Sequence, residues 1–127
     1  MSNTPLATDL VSQWLAALRD GSYRQAIGVL HERRMDCDSY CCLGVLKHVA
    51  EENGIRIRRA LTSDHLDEHD AKSVAGLTYE LQRKLSMMND GGAEFPQIAD
   101  WLERFYKGYG FARFRSAALS ALKDLTP

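Results

Sequence analysis

Asp38-Ser39-Tyr40-Cys41-Cys42-Leu43-Gly44-Val45-Leu46-Lys47-His48-Val49-Ala50-Glu51-Glu52-Asn53-Gly54 is the stretch on which the fold turns. Cys42, Leu43, Leu46, Val49 and Ala50 recur at three- and four-residue steps, which places them on one face of an α-helix. Asp38 or Ser39 can cap its start, and Asn53-Gly54 is a helix stop. A central helix with one buried face is therefore predicted.

Upstream, Leu6, Leu10, Trp14 and Leu18 follow one another at four-residue steps, with Val11 and Ala17 beside them. This is a second apolar stripe, with Thr4 as cap, Pro5 in the first turn and Gly21 at the end. Between the two helices, Ala26 to Leu30 is a short apolar run bounded by Gly21-Ser22 and by the polar run His31 to Asp38, and it reads as a short strand. Downstream, Ile55-Arg56-Ile57-Arg58 alternates with period two and is expected to pair with the 26–30 segment as a hairpin-like ribbon.

The polar stretch from Thr62 to Ala75 predicts a short surface helix ending at Gly76. Leu77, Leu81, Leu85 and Met88 form another stripe, cut off by Asn89-Asp90-Gly91-Gly92. Pro96 starts a helix with Ile98, Leu102 and Phe105 inward, and Gly108 and Gly110 break it. Phe111, Phe114, Ala118, Leu122 and Leu125 mark a last helix. The expected architecture is mainly α, a compact bundle of about five helices with a short two-stranded ribbon. Residues 1–127 read as a single domain, with 111–125 as a C-terminal helical addition.

Composition narrows the function classes. A chain that is 45% hydrophobic and 26% charged, with a net charge of −1, is neither a disordered nor a broadly basic protein. Nucleic acid is therefore a disfavoured partner. The longest uncharged apolar stretch, Tyr40 to Leu46, is far below the ~20 residues that cross a bilayer. The first ten residues lack the basic and apolar regions of a secretory signal, so a cytoplasmic protein without membrane contact is expected. Cys37, Cys41 and Cys42 lie too close together for a disulfide framework, and reduced thiols are expected.

Cys41 is the candidate nucleophile, because the first turn of a helix favours thiolate, with His31, His48, His65 and His69 as conceivable bases. Cys42 falls on the buried stripe and reads as core. His65-Leu66-Asp67-Glu68-His69 spells a pattern found in some zinc proteases, which makes His65 and His69 the candidate metal ligands. The surrounding acids read instead as an exposed polar helix, so neither a catalytic set, a metal nor a cofactor is assigned. Leu77 to Tyr106 has a helix-turn-helix outline, but Asp100 and Glu103 stand among Gln97, Arg104 and Lys107 on the outward face, where phosphates would be repelled. Two antiparallel helices packed through their apolar stripes are the simpler reading.

Arg33, Arg34, Arg56, Arg58 and Arg59 are the candidate binding residues. Guanidinium forks match phosphate and carboxylate, so these clusters point to a small anionic, nucleotide-like ligand or to an acidic protein surface. The bland alternative is that they are solvated charge.

Three segments carry a family resemblance: Trp14-Leu15-Ala16-Ala17-Leu18-Arg19-Asp20-Gly21-Ser22-Tyr23, then Tyr40-Cys41-Cys42-Leu43-Gly44-Val45-Leu46, then Leu85-Ser86-Met87-Met88-Asn89-Asp90-Gly91-Gly92-Ala93-Glu94-Phe95 running into Ile98-Ala99-Asp100. Over residues 1–105 the chain resembles small uncharacterised proteins of bacteriophages and prophages, and the 111–125 helix lies outside that pattern. Where that family is often glycine-rich with alternating Gln and Gly, only Gln25 and Gly28 remain here. The resemblance implies a context, the cytoplasm of a bacterial host and inhibition or decoying of a host component, such as a defence protein, and it adds Asn89 and Asp90 to the candidate ligand or partner residues. A non-enzymatic binding protein, monomeric or a homo-oligomer, is the expected function. A helix-turn-helix regulator and a cysteine-dependent hydrolase are the alternatives.

Overall fold

The structure, a computed structural model, describes residues 7–61 and 64–108. The chain runs α1 (Ala7–Arg19), β1 (Arg24–Gln25), β2 (His31–Arg34), β3 (Cys37–Tyr40), α2 (Cys42–Glu52), α3 (Glu68–Ala75), α4 (Tyr79–Asp90) and α5 (Phe95–Gly108). It is mainly α: among the described residues five helices surround one core, and a three-stranded sheet lies at its edge. Thr4, Pro5, Leu6 and the 111–125 helix lie outside the described residues.

α2 is the centre that its sequence pattern predicts. Cys42, Leu43, Val45, Leu46, Val49 and Ala50 are all buried, and Asn53 caps the C-terminus. α1 lies against α2, α3 and α5 and buries Leu10, Val11, Trp14 and Leu18. Trp14 joins the two apolar faces, its indole N–H donating to the Cys42 carbonyl at 2.9 Å. Local caps set the later helices. Asp67 accepts from the Asp70 amide, Gly76 takes the left-handed conformation (φ 69°) that stops α3, and Thr78 accepts from the Leu81 amide to start α4. α5 buries Ile98, Ala99, Leu102 and Tyr106, and the Tyr106 hydroxyl reaches back to the Ala75 carbonyl (2.6 Å).

The strands differ from expectation. No ribbon joins 26–30 to 55–58. Residues 26–30 form a loop, and the only pairing near Ile55-Arg56-Ile57-Arg58 is one bridge between Arg59 and Leu66. The sheet is built from the polar segment instead, in the order β1-β3-β2, with β1 parallel and β2 antiparallel to β3. Asp38 and Ser39 therefore belong to β3, and the helix begins three residues later, with Cys41 as its N-cap. Met35 and Asp36, both at positive φ (48° and 64°), make the two-residue turn between β2 and β3. The hairpin stays out of the core, so its strands show no alternation of apolar and polar residues.

A second difference concerns α4. Besides Leu85 it buries Gln82, Ser86 and Asn89, a polar stripe. Gln82 donates to the Leu66 carbonyl and accepts from the Leu66 amide, clamping the segment before α3. Asn89 accepts from the Cys42 amide and the Gln25 side chain and donates to the Ala26 carbonyl, while Asp90 accepts from the Gly28 amide. These bonds hold residues 25–28, where β1 ends and the 26–30 loop begins. Satisfying buried backbone groups in this way avoids about 1 to 3 kcal/mol of desolvation cost for each.

Candidate anion-binding site

Around the C-terminal half of α2, four rings gather that are scattered in sequence. Tyr23 follows α1, His31 opens β2, Tyr40 closes β3 and His48 is on α2. Tyr40 stacks on His31 (centroids 4.6 Å apart, planes 5° apart), and Tyr23 meets both Tyr40 (5.1 Å) and His48 (5.5 Å) edge-on. β3 brings Tyr40 here because its register sets Tyr40 opposite His31 on β2 and Gln25 on β1.

Two cavities flank this cluster and share Tyr40 and His48 as their common wall. The larger, about 700 Å³, also touches Tyr23, Arg24, Asp20 and Glu52. The smaller, about 310 Å³, is lined by Leu30 and Gly44, by His31 and Arg59, and by the ion pair of Lys47 with Glu51. Lys47 and Arg59 continue into a shallow basic depression that includes Arg56. One strip of surface thus passes from rings to cations, the two features that a base or sugar and a phosphate require.

Protonation states follow from the contacts. Burial, reinforced by the charge of Glu52, pushes the Tyr23 phenol up to about 12, so it stays protonated at neutral pH. Its hydroxyl oxygen and His48 Nδ1 are hydrogen-bonded at 2.6 Å, with the Glu52 carboxylate 3.7 Å from the same nitrogen. Asp38 is held below the usual carboxylate range, first by the hydrogen bond from His31 and then by the charge of Arg33, so His31 Nε2 donates to it at 2.7 Å. Hydrogen bonds thus tie Tyr23 to His48 and His31 to Asp38, and Tyr40 packs between them.

The structure separates the candidate arginines. Arg33 is paired with Asp38 (3.0 Å) and Arg34 with Glu32 (3.4 Å), so the β2 pair is satisfied within its own hairpin. Arg58 bonds Asp70 (3.0 Å) and approaches Asp67, which ties it to α3. Arg56 and Arg59 are exposed, and among the described residues neither has a carboxylate within ion-pair distance. Of the five, only these two stand open to an anion. Arg24, beside the larger cavity, also has no ion pair among the described residues, and no sequence pattern singles it out.

The remaining candidates are corrected by their surroundings. Cys41 does sit at the helix N-terminus, but it is only 3% exposed, and burial pushes its thiol up to about 11 despite the nearby amides of Gly44 and Leu43. Desolvation outweighs the helix end here, so the thiolate expectation fails. Iodoacetamide at neutral pH is therefore expected to modify the exposed Cys37 first and leave Cys41 largely unmodified, as peptide mass spectrometry would show. Preferential labelling of Cys41 would contradict its burial.

His65 and His69 do not share a helix face. His65 precedes α3, is 7% exposed and is bonded to Asp64, whereas His69 is exposed on α3. No group of three His, Cys, Asp or Glu side chains that could hold a metal occurs among the described residues. Asn89 and Asp90, proposed for ligand or partner contact, are used internally to anchor residues 25–28, and Asn89 is 1% exposed. In the helix-turn-helix outline, Asp100 and Glu103 both receive Arg19 of α1 at 2.8 Å, so the acidic residues on α5 serve an internal contact.

No helix among the described residues is long and apolar enough to cross a membrane. Residues 6–76, more than half of the chain, match a family model described as a domain of unknown function (DUF8296). That span contains α1, the sheet, α2, α3 and every residue named above as lining the cavities. No curated protein and no solved structure matches the chain. The chain belongs to the DUF8296 family.

Proposed function

We propose that this DUF8296 member is a non-enzymatic binding protein that takes up a small anionic, nucleotide-like ligand in the groove beside α2. The observation that carries this reading is the meeting of Arg59, which has no ion pair among the described residues, with the ring cluster at one cavity. Arg59 lines the smaller cavity together with Tyr40 and His48, Lys47 lines it as the partner of Glu51, and Arg56 extends the basic rim. A cavity of about 310 Å³ is at the small end of the range for ligand sites, which suits a mononucleotide. The burial and raised pKa of Cys41 favour binding over cysteine-dependent hydrolysis. The resemblance to phage and prophage proteins supports action in a bacterial cytoplasm, by withdrawing such a ligand from a host system.

The test is isothermal titration of the full chain with adenosine monophosphate and, separately, inorganic phosphate. Binding of the nucleotide is expected, and it should weaken by at least about tenfold in the double variant Arg56→Gln, Arg59→Gln, since each charge-assisted bond contributes about 1.5 to 3 kcal/mol. Both residues are exposed, so the melting temperature should hardly change. Tyr40→Ala should reduce nucleotide affinity more than phosphate affinity. Equal nucleotide binding by parent and double variant, or none by the parent at millimolar concentration, would sink the proposal.

A further inference from the structure

A separate cavity, of about 540 Å³, lies on the α4 side of the molecule and shares no lining residue with the groove beside α2. Its walls include Asp64, His65, Tyr79, Arg83, Ser86 and Met87. His65 Nδ1 is 2.7 Å from Asp64 Oδ1, and the Ser86 hydroxyl donates to the other carboxylate oxygen at 3.3 Å. Burial raises the Asp64 carboxyl, but the bonds from His65 and Ser86 outweigh it and hold the group below its ordinary value. Asp64 is therefore an acceptor, and the His65 nitrogen facing it, Nδ1, carries a hydrogen.

His65 Nε2 is left without a partner. Among the described residues it is the one buried side-chain nitrogen or oxygen without a hydrogen-bond partner. Buried polar groups are nearly always satisfied, and an exception calls for an explanation. A carboxylate on one imidazole nitrogen with the other nitrogen open is the arrangement by which proteins present a histidine to something outside their own fold.

We infer that this cavity is a second ligand site, for a small aromatic hydroxy acid whose hydroxyl donates to His65 Nε2. Each part of that description has a counterpart on the walls. A neutral imidazole with its hydrogen on Nδ1 needs a donor at Nε2. Arg83 is exposed without an ion pair among the described residues and supplies a cation for a carboxylate. Tyr79 and Met87, 43% and 65% exposed, offer ring and thioether surface to an apolar body. Asp90 also borders the cavity, with its Oδ1 accepting from the Gly28 amide and the Asn89 side chain. The Tyr79 ring stacks on the imidazole (4.9 Å, 26°) and its hydroxyl is unbonded among the described residues, so this ring is the element that must turn aside to admit the ligand.

The test is side-chain ¹⁵N–¹H spectroscopy of the full, ¹⁵N-labelled chain, with 4-hydroxyphenylacetate as the probe. In the free protein His65 should show hydrogen on Nδ1 and an unprotonated, unbonded Nε2. The probe should shift the Nε2 resonance in a saturable way, and Arg83→Gln should weaken its binding by at least about tenfold, the loss expected for one charge-assisted bond. Tyramine, with the same ring and hydroxyl but a positive charge, should bind at least about tenfold more weakly for the same reason. Adenosine monophosphate should leave the His65 resonances unmoved. Hydrogen on Nε2 in the free protein, no saturable shift with the probe, tyramine binding as tightly as the acid, or competition by the mononucleotide would each overturn the assignment. Because the parent chain and the surface variant Arg83→Gln carry the test, it does not depend on a His65 variant folding.

Discussion

Gly44→Ala is expected to melt far below the parent, although the substitution adds one methyl group and replaces a poor helix former with the best one. A Cβ at position 44 would lie 1.8 Å from the Leu30 carbonyl oxygen and 2.8 Å from its carbonyl carbon. Both are backbone atoms, so no rotamer change relieves the overlap. The 26–30 loop would have to lift off α2, yet the Leu30 carbonyl accepts from the Cys41 amide and the loop is pinned on its other side by Asn89 and Asp90. The cost should exceed the ~1 to 3 kcal/mol of ordinary overpacking. With about 3 to 6 °C lost per kcal/mol for a domain of this size, a fall of ten degrees or more is expected in a thermal melt followed by circular dichroism. Glu51→Ala, an exposed change on the same helix, is the control and should melt close to the parent. If Gly44→Ala matched that control, the seating of the loop on α2 would be wrong, and with it the lining of the smaller cavity.

Trp14→Ala should cost a comparable amount by the opposite mechanism. Trp14 is fully buried at the junction of α1 and α2, and truncation would leave a large cavity beside the Cys42 carbonyl that its indole now bonds. A loss of about 3 to 5 kcal/mol is expected for emptying such a site. Domains of this kind retain only about 5 to 15 kcal/mol in total, so the variant should be marginal at 37 °C. Trp14→Phe divides the effect. It keeps most of the volume and removes the donor, and it should lose nearer 1 kcal/mol. Chemical denaturation of the two variants would show whether packing or the hydrogen bond dominates, and a Trp14→Ala midpoint equal to that of the parent would mean that α1 is docked through another face.

The two mechanisms show which parts of the molecule could be foreseen. Trp14 announced itself through its spacing from Leu10 and Leu18, because helical burial imposes a period that a linear pattern records. Gly44 gave no such sign. A glycine within an apolar helical stripe looks like a weakness of the helix, and only the approach of a loop from fourteen positions earlier turns it into a requirement. The hairpin was overlooked for a related reason. His31 to Tyr40 is polar because the sheet lies at the edge of the core, and its turn uses Met35-Asp36 where glycine or asparagine would have signalled it.

The site divides in the same way. That Arg56 and Arg59 are candidates for an anion was legible from residue type, but that Arg33, Arg34 and Arg58 are occupied depends on carboxylates brought to them by β-pairing and by α3. Tyr23, Tyr40, His31 and His48 have no common spacing, and they meet because the β1-β3-β2 order and the α2 axis converge. On α4, Gln82, Ser86 and Asn89 share a buried face, but their side chains are polar, and polar residues at helical spacing look like a solvated face in a linear pattern.

Local sequence was thus enough to place the five helices of the described residues and the apolar faces that make this a mainly α domain. Those properties rest on capping and on the period of burial, which act within a few residues. Tertiary structure alone decided where the strands pair, which arginines stay unpaired, that Asn89 and Asp90 anchor a loop, and that desolvation raises the Cys41 thiol while His65 keeps a buried, unpartnered nitrogen. These outcomes depend on the charges, dipoles and solvent access that distant segments contribute, and a linear pattern does not record such neighbours.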